Sequence, residues 1–300
     1  MTIRRLLCCF GGARGETVFD ALLERFPRLP LALSVSKHDP SAAALRDRAA
    51  KADVPVLVWR DVIAGPDALD AHQVDAMAMV GWRYLVPPWL LDALPRRVLV
   101  AHDSLLPKYR GFAPLATALI QGDPEVGVTV FLAEPEVDTG DVIAQHRTRV
   151  GAHHAIGDLM TRVIPLYVEG VCEGVRGLVA GNLVATPQDD SQATYSLWRD
   201  EEDYFLDWTE SAERLERTVR ALGPPLGGAR ARVAGQVVQI EAVTVEPDLP
   251  FEVRQVGKVW RIAEGGEPVV VCGTGLLRIT RLTGPEGSLL PWKTLRVRFS

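Results

Sequence analysis

One imidazole and one carboxylate in this chain sit in surroundings suited to moving a proton. His102 opens the run His102-Asp103-Ser104-Leu105-Leu106-Pro107-Lys108-Tyr109-Arg110-Gly111, and Asp138 opens Asp138-Thr139-Gly140-Asp141. The apolar run Val98-Leu99-Val100-Ala101 leads directly into His102. A run of that kind predicts a strand buried on both faces, so His102 falls at a carboxyl end of the sheet, where open α/β folds place their sites. A carboxylate near a histidine holds the imidazole in one tautomer and stabilises its cation. The pair suits transfer of a group to an amine, which must lose a proton. Val100, two residues before His102, stands where a polar partner is expected. Taken singly, the two features have plainer readings. A histidine at a strand end is commonly structural, and a D-T-G-D loop is commonly a turn whose carboxylates cap backbone amides. Asp103 reads as a helix or turn cap rather than as a catalytic group.

The elements that would position these residues are legible along the chain. Residues 3–10 predict a first strand ending in the turn Gly11-Gly12-Ala13-Arg14-Gly15, with a helical stretch over 17–23. Strands are expected at 31–35, 54–59, 76–80 and 98–101, and helices at 41–52 and 113–121. Strands alternating with helices indicate a doubly wound parallel sheet. Residues 127–150 alternate and predict two strands flanking Asp138, and 157–180 carry apolar side chains at helical spacing. The polar segment Thr186-Pro187-Gln188-Asp189-Asp190-Ser191 lies within an expected linker, 184–205. Beyond it come a short amphipathic helix, Ser211 to Leu222, and β-runs at 230–233, 236–243, 257–262, 268–272 and 275–282, as in a small β-barrel. The expected fold is therefore α/β. A Rossmann-like catalytic domain over 1–183 and a linker over 184–205 precede a small β-barrel domain over 206–300.

Composition narrows the function. The chain has 300 residues, 47 % hydrophobic and 24 % charged, as in soluble globular proteins. Its formal net charge is −5 and no Lys/Arg run stands out, which disfavours a partner held by phosphate contacts. No stretch nears the apolar length of a membrane span, and no small-residue cleavage site follows the first strand. The four cysteines, Cys8, Cys9, Cys172 and Cys272, have neither metal-ligand nor disulfide spacing and predict buried thiols in a reducing cytoplasm. No metal is expected; His153-His154 has no accompanying ligand set and reads as a helix start. The first turn does not fit G-x-G-x-x-G, so a dinucleotide is not expected there, although Asp39 lies near the end of the second strand.

The residues together resemble the 10-formyltetrahydrofolate-dependent formyltransferases, which include methionyl-tRNA formyltransferase and the sugar N-formyltransferases. The similarity runs through Gly81-Trp82-Arg83-Tyr84-Leu85-Val86-Pro87, the His102–Pro114 run, Gly122-Asp123, Gly127-Val128-Thr129 and Asp138-Thr139-Gly140-Asp141. It continues in Trp208, Ser211-Ala212, Arg220-Ala221-Leu222 and Val271-Cys272-Gly273, and so covers essentially the whole chain.

The resemblance implies a catalytic trio of Asn-x-His and a downstream Asp. His102 and Asp138 match the last two, and Val100 replaces the Asn. It implies 10-formyltetrahydrofolate as formyl donor, lying against the loop Trp82, Arg83, Tyr84, Leu85 and Val86 and against the loop of Asp138. It also implies a Rossmann-like first domain and a C-terminal barrel of the OB type. Ser104, Lys108 and Arg110 are candidate substrate residues. Loss of an oxyanion donor typically costs about 10²–10³ in rate. Ser104, an ordered water or protonated His102 are the candidate replacements for the amide that Val100 lacks.

A nucleotide-linked amino sugar is the expected acceptor. The C-terminal ending Lys293-Thr294-Leu295-Arg296-Val297-Arg298-Phe299 and the internal run Ser196-Leu197-Trp198-Arg199-Asp200-Glu201-Glu202-Asp203 look like those of sugar N-formyltransferases. Arg296 and Arg298 are read either as solvated edge-strand cations or as substrate contacts. Ser36-Lys37-His38-Asp39-Pro40 lacks the basic insertion by which the tRNA enzymes resemble one another. Another metabolite amine, a hydrolase passing the formyl group to water, and a catalytically impaired folate-binding protein are the alternatives. The resemblance further implies that a homodimer is possible, while the cysteines, the charge balance and the lack of a long apolar run set the expectation of a cytoplasmic protein with no nucleic-acid or membrane partner.

Overall fold

The computed structural model describes residues 3–300. In chain order the elements are β1 (Leu6–Phe10), α1 (Gly12–Arg25), β2 (Leu31–Ser34), α2 (Ala42–Lys51), α3 (Trp59–Val62), α4 (Pro66–Ala71), β3 (Ala76–Val80), α5 (Pro88–Ala93) and β4 (Val98–His102). Next come β5 (Arg110–Gly111), α6 (Pro114–Gln121), β6 (Glu125–Leu132), β7 (Val142–Arg149), α7 (Ile156–Arg162), α8 (Ile164–Ala180) and β8 (Tyr195–Ser196). The chain ends with α9 (Ala212–Leu222), β9 (Ala229–Val233), β10 (Gln236–Glu246), β11 (Val259–Ile262), β12 (Pro268–Val271), β13 (Leu276–Gly284) and β14 (Gly287–Ser288). The elements form two compact units. One holds the chain up to Phe112, Glu125–Thr148 and Arg162–Ser196; the other holds Ala113–Pro124, Arg149–Thr161 and Leu197–Ser300.

The first unit is built on a six-stranded sheet in the order β2-β1-β3-β4-β6-β7, among the described residues. β1, β2, β3 and β4 are parallel, and their side chains are almost wholly buried, as the unbroken apolar runs require. The sheet is mixed rather than purely parallel, because β6 pairs antiparallel with β4. β4 is the strand that matters for the site. Successive side chains point to opposite faces, so Val100 and His102 share one face. Val100 pairs with Met79 on one side and Phe131 on the other, and His102 pairs with Thr129.

The strand expected at 54–59 is not formed. Val56 makes a single parallel bridge to Leu33, and Trp59 already starts α3. Pro55 has no N–H to give to a ladder, which confines the segment to an edge contact. The segment expected as a linker is partly ordered structure. Thr186 bridges Val142 through two backbone hydrogen bonds of 2.8 Å, and β8 pairs with β5. Chain up to Ser196 therefore belongs with the first unit, and α6 and residues 149–161 group with the second.

The second unit carries an antiparallel sheet in the order β11-β12-β13-β10-β9, with β14 on β13. Its two edges are joined by the end of the chain: Phe299 bridges Val233 at the end of β9, and Arg298 bridges Lys258 beside β11. The Arg298 guanidinium donates to Gln255 Oε1 at 2.9 Å. α9 lies on the sheet, capped by Ser211, whose Oγ accepts from the Arg214 N–H at 3.2 Å. Its apolar face closes a core with Trp208, Leu277, Ile279 and Phe299.

Candidate active site

β4 delivers His102 to the sheet edge, and the chain then turns through residues 103–109. The turn is held from below by Thr129, fully buried on β6. Its Oγ1 donates to the Ser104 carbonyl at 2.7 Å and accepts from the Leu106 N–H at 3.1 Å. Gln145 Nε2 donates to Thr129 Oγ1 and to the Leu106 carbonyl. A β-branched residue with one hydroxyl thus satisfies two backbone groups in a place water does not reach.

His102 is buried. Its Nε2 lies 3.0 Å from the Tyr109 carbonyl oxygen. A carbonyl only accepts, so that partner assigns the proton to Nε2. Its Nδ1 faces Asp138 Oδ2 at 3.5 Å, and the same carboxylate oxygen accepts the Gly111 N–H at 2.7 Å. A proton arriving on Nδ1 therefore points at a fixed carboxylate. The backbone at this point is contorted: Asp138 and Tyr109 have φ of +57° and +59°. Non-glycine residues seldom occupy that region except where surroundings hold them there, commonly at functional sites.

The other expected residues fall as follows. Val100 packs among apolar neighbours and presents no polar atom beside His102. Ser104 is buried, and its Oγ has no hydrogen-bond partner. Arg110 is 3 % exposed, with its guanidinium on Gln188 and Asp190. Lys108 is exposed and lies over the Tyr109 ring. Trp82 is half-buried between Trp59 and Tyr84 at ring separations of 5.2 and 5.3 Å, and its indole N–H is buried without a partner. Arg83, Tyr84 and Leu85 are exposed, Leu85 at 78 %, while Val86 packs on the core. Asp141 turns away to Arg96.

Asp103 differs from the cap expected of it. Its carboxylate takes Arg14 Nη1 at 2.8 Å, and the same nitrogen donates to Tyr167 Oη at 3.0 Å. Burial pushes the carboxyl up, but the Arg14 charge, with that of His102, holds it below its ordinary range. The Tyr167 hydroxyl is pushed up by burial and by Asp103. Sequence reading missed the roles of Arg14, Gln145 and Gln188, since the partners of each lie far along the chain. At the start of α1, Asp39 Oδ1 accepts the Gly12 N–H at 3.1 Å, so a carboxylate already fills the place a dinucleotide phosphate would take.

The domain model described as "Formyl transferase" matches residues 63–173, and "Formyl transferase, C-terminal domain" matches 199–296. The methionyl-tRNA formyltransferase of Ralstonia nicotianae is 34 % identical over 234 residues, 77 % of this chain and 70 % of that protein. The chain belongs to the formyl transferase family. The methionyl-tRNA formyltransferase of Stutzerimonas stutzeri is 35 % identical over 82 % of this formyltransferase and 77 % of its own length. Among solved structures, the fold is shared with the N-formyltransferase from Helicobacter canadensis, solved with folinic acid and dTDP-3-aminofucose. That match has a TM-score of 0.71 and 13 % identity, over 93 % of this formyltransferase and 99 % of that chain. It is shared also with HypX from Aquifex aeolicus in complex with tetrahydrofolic acid, with a TM-score of 0.62 and 18 % identity, over 95 % of this formyltransferase and 45 % of HypX.

Proposed function

We propose that this formyltransferase moves a formyl group from 10-formyltetrahydrofolate to the amine of a small molecule, with a nucleotide-linked amino sugar as the acceptor class. The observation that carries the reading is the approach of His102 Nδ1 to Asp138 Oδ2 at 3.5 Å on a sheet edge. The loop 82–87 suits a folate: it offers exposed Leu85 and Tyr84 for ring contact and a buried, unpartnered Trp82 N–H. Val137, beside Asp138, is a second exposed apolar side chain. When bound, the donor supplies an electrophilic formyl carbon.

The chain's own residues then handle the proton. An attacking amine must lose one as its new C–N bond forms and the bond to the folate nitrogen breaks, and that nitrogen must gain one. Asp138 Oδ2 and His102 Nδ1 face each other, so a proton taken by either is shared with the other. The Gly111 N–H fixes the carboxylate and the Tyr109 carbonyl fixes the ring. Positioned acid–base pairs of this kind contribute about 10²–10⁴ in rate. Val100 gives nothing to the developing oxyanion. Ser104 retains an unengaged hydroxyl on the same turn and is the proposed donor in its place.

Methionyl-tRNA is a second acceptor reading, favoured by the relatives of that name. Charge in the second unit speaks for the small molecule. Arg230 and Arg232 pair with Glu201 and Glu202, Arg254 with Asp248, Arg261 with Glu246, Arg278 with Glu267, and Arg281 with Glu241. Cations already matched by carboxylates release few counterions on meeting a phosphate backbone. The second unit is further read as an OB-type barrel, and the protein as cytoplasmic and dimeric; no helix among the described residues is long and apolar enough to cross a membrane.

The deciding experiment incubates the protein with 10-formyltetrahydrofolate and a panel of nucleotide-linked amino sugars, alongside methionyl-tRNA, following folate discharge and acceptor mass. A formylated sugar is expected. Formylated methionyl-tRNA replaces the sugar reading, discharge without any product means hydrolysis, and binding without discharge means a silent folate protein.

A further inference from the structure

We propose that Gln188 is a positioning residue for formyl transfer, clamping the Asp138 loop to the Arg110 turn and so setting the approach of Asp138 to His102. The inference rests on reading that pair as the proton-handling groups.

All four hydrogen-bonding capacities of the Gln188 amide are engaged. Its Nε2 donates to the Asp138 carbonyl at 2.9 Å and to the Gly140 carbonyl at 2.8 Å. Its Oε1 accepts from Arg110 Nε at 3.2 Å and Nη2 at 2.8 Å. The amide has one allowed orientation, because guanidinium nitrogens only donate and carbonyls only accept. The Arg110 charge polarises the amide and strengthens its two N–H bonds. Arg110 is in turn tied to Asp190 at 2.6 Å. Next along the chain, Gly111 donates to the Asp138 carboxylate.

A closed circuit results. The backbone after Asp138 hangs on Gln188, Gln188 hangs on Arg110, and the residue after Arg110 holds the Asp138 side chain. Asp138 sits at φ +57°, a conformation that persists only when its surroundings over-determine it. The bridge from Thr186 to Val142 brings Gln188 to that place. A glutamine serving only to tie down a connecting segment has no need of the two loop carbonyls on either side of Thr139.

The test uses Gln188→Glu and Gln188→Leu in the full chain, each also combined with Asp138→Asn. Gln188→Glu keeps the acceptor for Arg110 but loses both donors and faces the loop carbonyls with a carboxylate. Both single variants are expected to lower kcat by about tenfold or more, with a smaller rise in KM for the formyl donor, which the Asp138 loop is also read as meeting. In the Asp138→Asn background the further loss should shrink to under about twofold, because the two residues act as one unit. Hydrogen exchange should quicken in peptides spanning 105–112 and 133–141 and stay unchanged in β10. Wild-type kcat in Gln188→Glu, full multiplicative losses in the double variant, or unaltered exchange in the 133–141 peptide would each overturn the clamp. If the wild type transfers no formyl group to any acceptor, the functional reading fails on its own, and the exchange result alone decides the clamp.

Discussion

Asp138 meets His102 by doubling back along the strand that carries it. In the β4–β6 pairing His102 stands opposite Thr129, but β6 runs on to Leu132, which stands opposite Leu99. The loop after Leu132 therefore begins near the wrong end of β4 and must return for Asp138 Oδ2 to come within 3.5 Å of the ring. Backbone strain at Asp138 is one consequence of that return, and the Gln188 amide answers it.

The pair is predicted to act as a unit. His102→Ala and Asp138→Asn should each lower kcat by about 10²–10⁴, and the double variant should be little worse than the worse single one. Folate binding should survive largely intact in His102→Ala, whose side chain lies on neither loop read as meeting the folate, and should weaken less than turnover does in the two variants that alter Asp138. Calorimetric titration of the folate beside steady-state turnover checks both statements. Retained turnover in His102→Ala removes the imidazole from the mechanism.

Gly140 makes the return of the loop achievable. A Cβ at this position would overlap the Leu132 carbonyl oxygen, a backbone atom with no room to give. Gly140→Ala should therefore shift the Asp138 loop, costing about 1–3 kcal/mol of stability as over-packing does. Its loss of kcat should exceed what the fraction unfolded explains. A denaturation curve measured beside the kinetics separates the two, and a variant with unchanged kcat would show that the loop tolerates the shift.

Much of this arrangement was open to reading before the structure. Apolar runs announce β1, β3 and β4, and the end of β4 announces His102, because burial on both faces leaves one composition available. The Asp138 loop showed itself through D-x-G, whose glycine is required by the close approach to Leu132. The segment 184–196 did not, because its order comes from one bridge to β7 and a two-residue pairing with β5 and leaves no periodicity. Gln188 was therefore hidden inside an apparent linker. Arg110 was legible as a cation but not as a buried one, since its partners lie at Gln188 and Asp190. Asp103 looked like a cap because its partner, Arg14, belongs to a distant helix.

The Arg14–Asp103 pair should show itself in the pH dependence of stability. Asp103 titrates below its ordinary value in the folded protein, so its contribution is full above that value and is lost as pH falls through the lower one. Arg14→Met removes the charge that lowers it and leaves burial to push the carboxyl up. The variant should lose about 2–3 kcal/mol at neutral pH, towards the low end for a broken buried pair because Arg14 is 31 % exposed. The gap should then narrow as pH falls towards about 4, where the carboxyl protonates at little cost. Thermal unfolding from neutral pH downwards reads this directly, and a gap constant with pH would contradict it.

Val100 and Ser104 give the sharpest prediction about the chemistry itself. β4 sets Val100 on the face of His102 without a donor, and two residues beyond His102 a buried hydroxyl has no partner. If the hydroxyl serves the oxyanion, Ser104→Ala should lower kcat by about 10²–10³ with little loss of folate affinity. Val100→Asn should raise transfer in the wild type only modestly, because one donor is already present. In the Ser104→Ala background it should recover a large part of the loss. The new amide would cost about 1–3 kcal/mol of stability wherever it fails to find a partner, so unfolding must be followed in each variant. Unchanged kcat in Ser104→Ala together with a large gain in Val100→Asn would mean that the site works without an oxyanion donor. Loss of transfer in Val100→Asn with the fold intact would mean that the acceptor itself requires the valine.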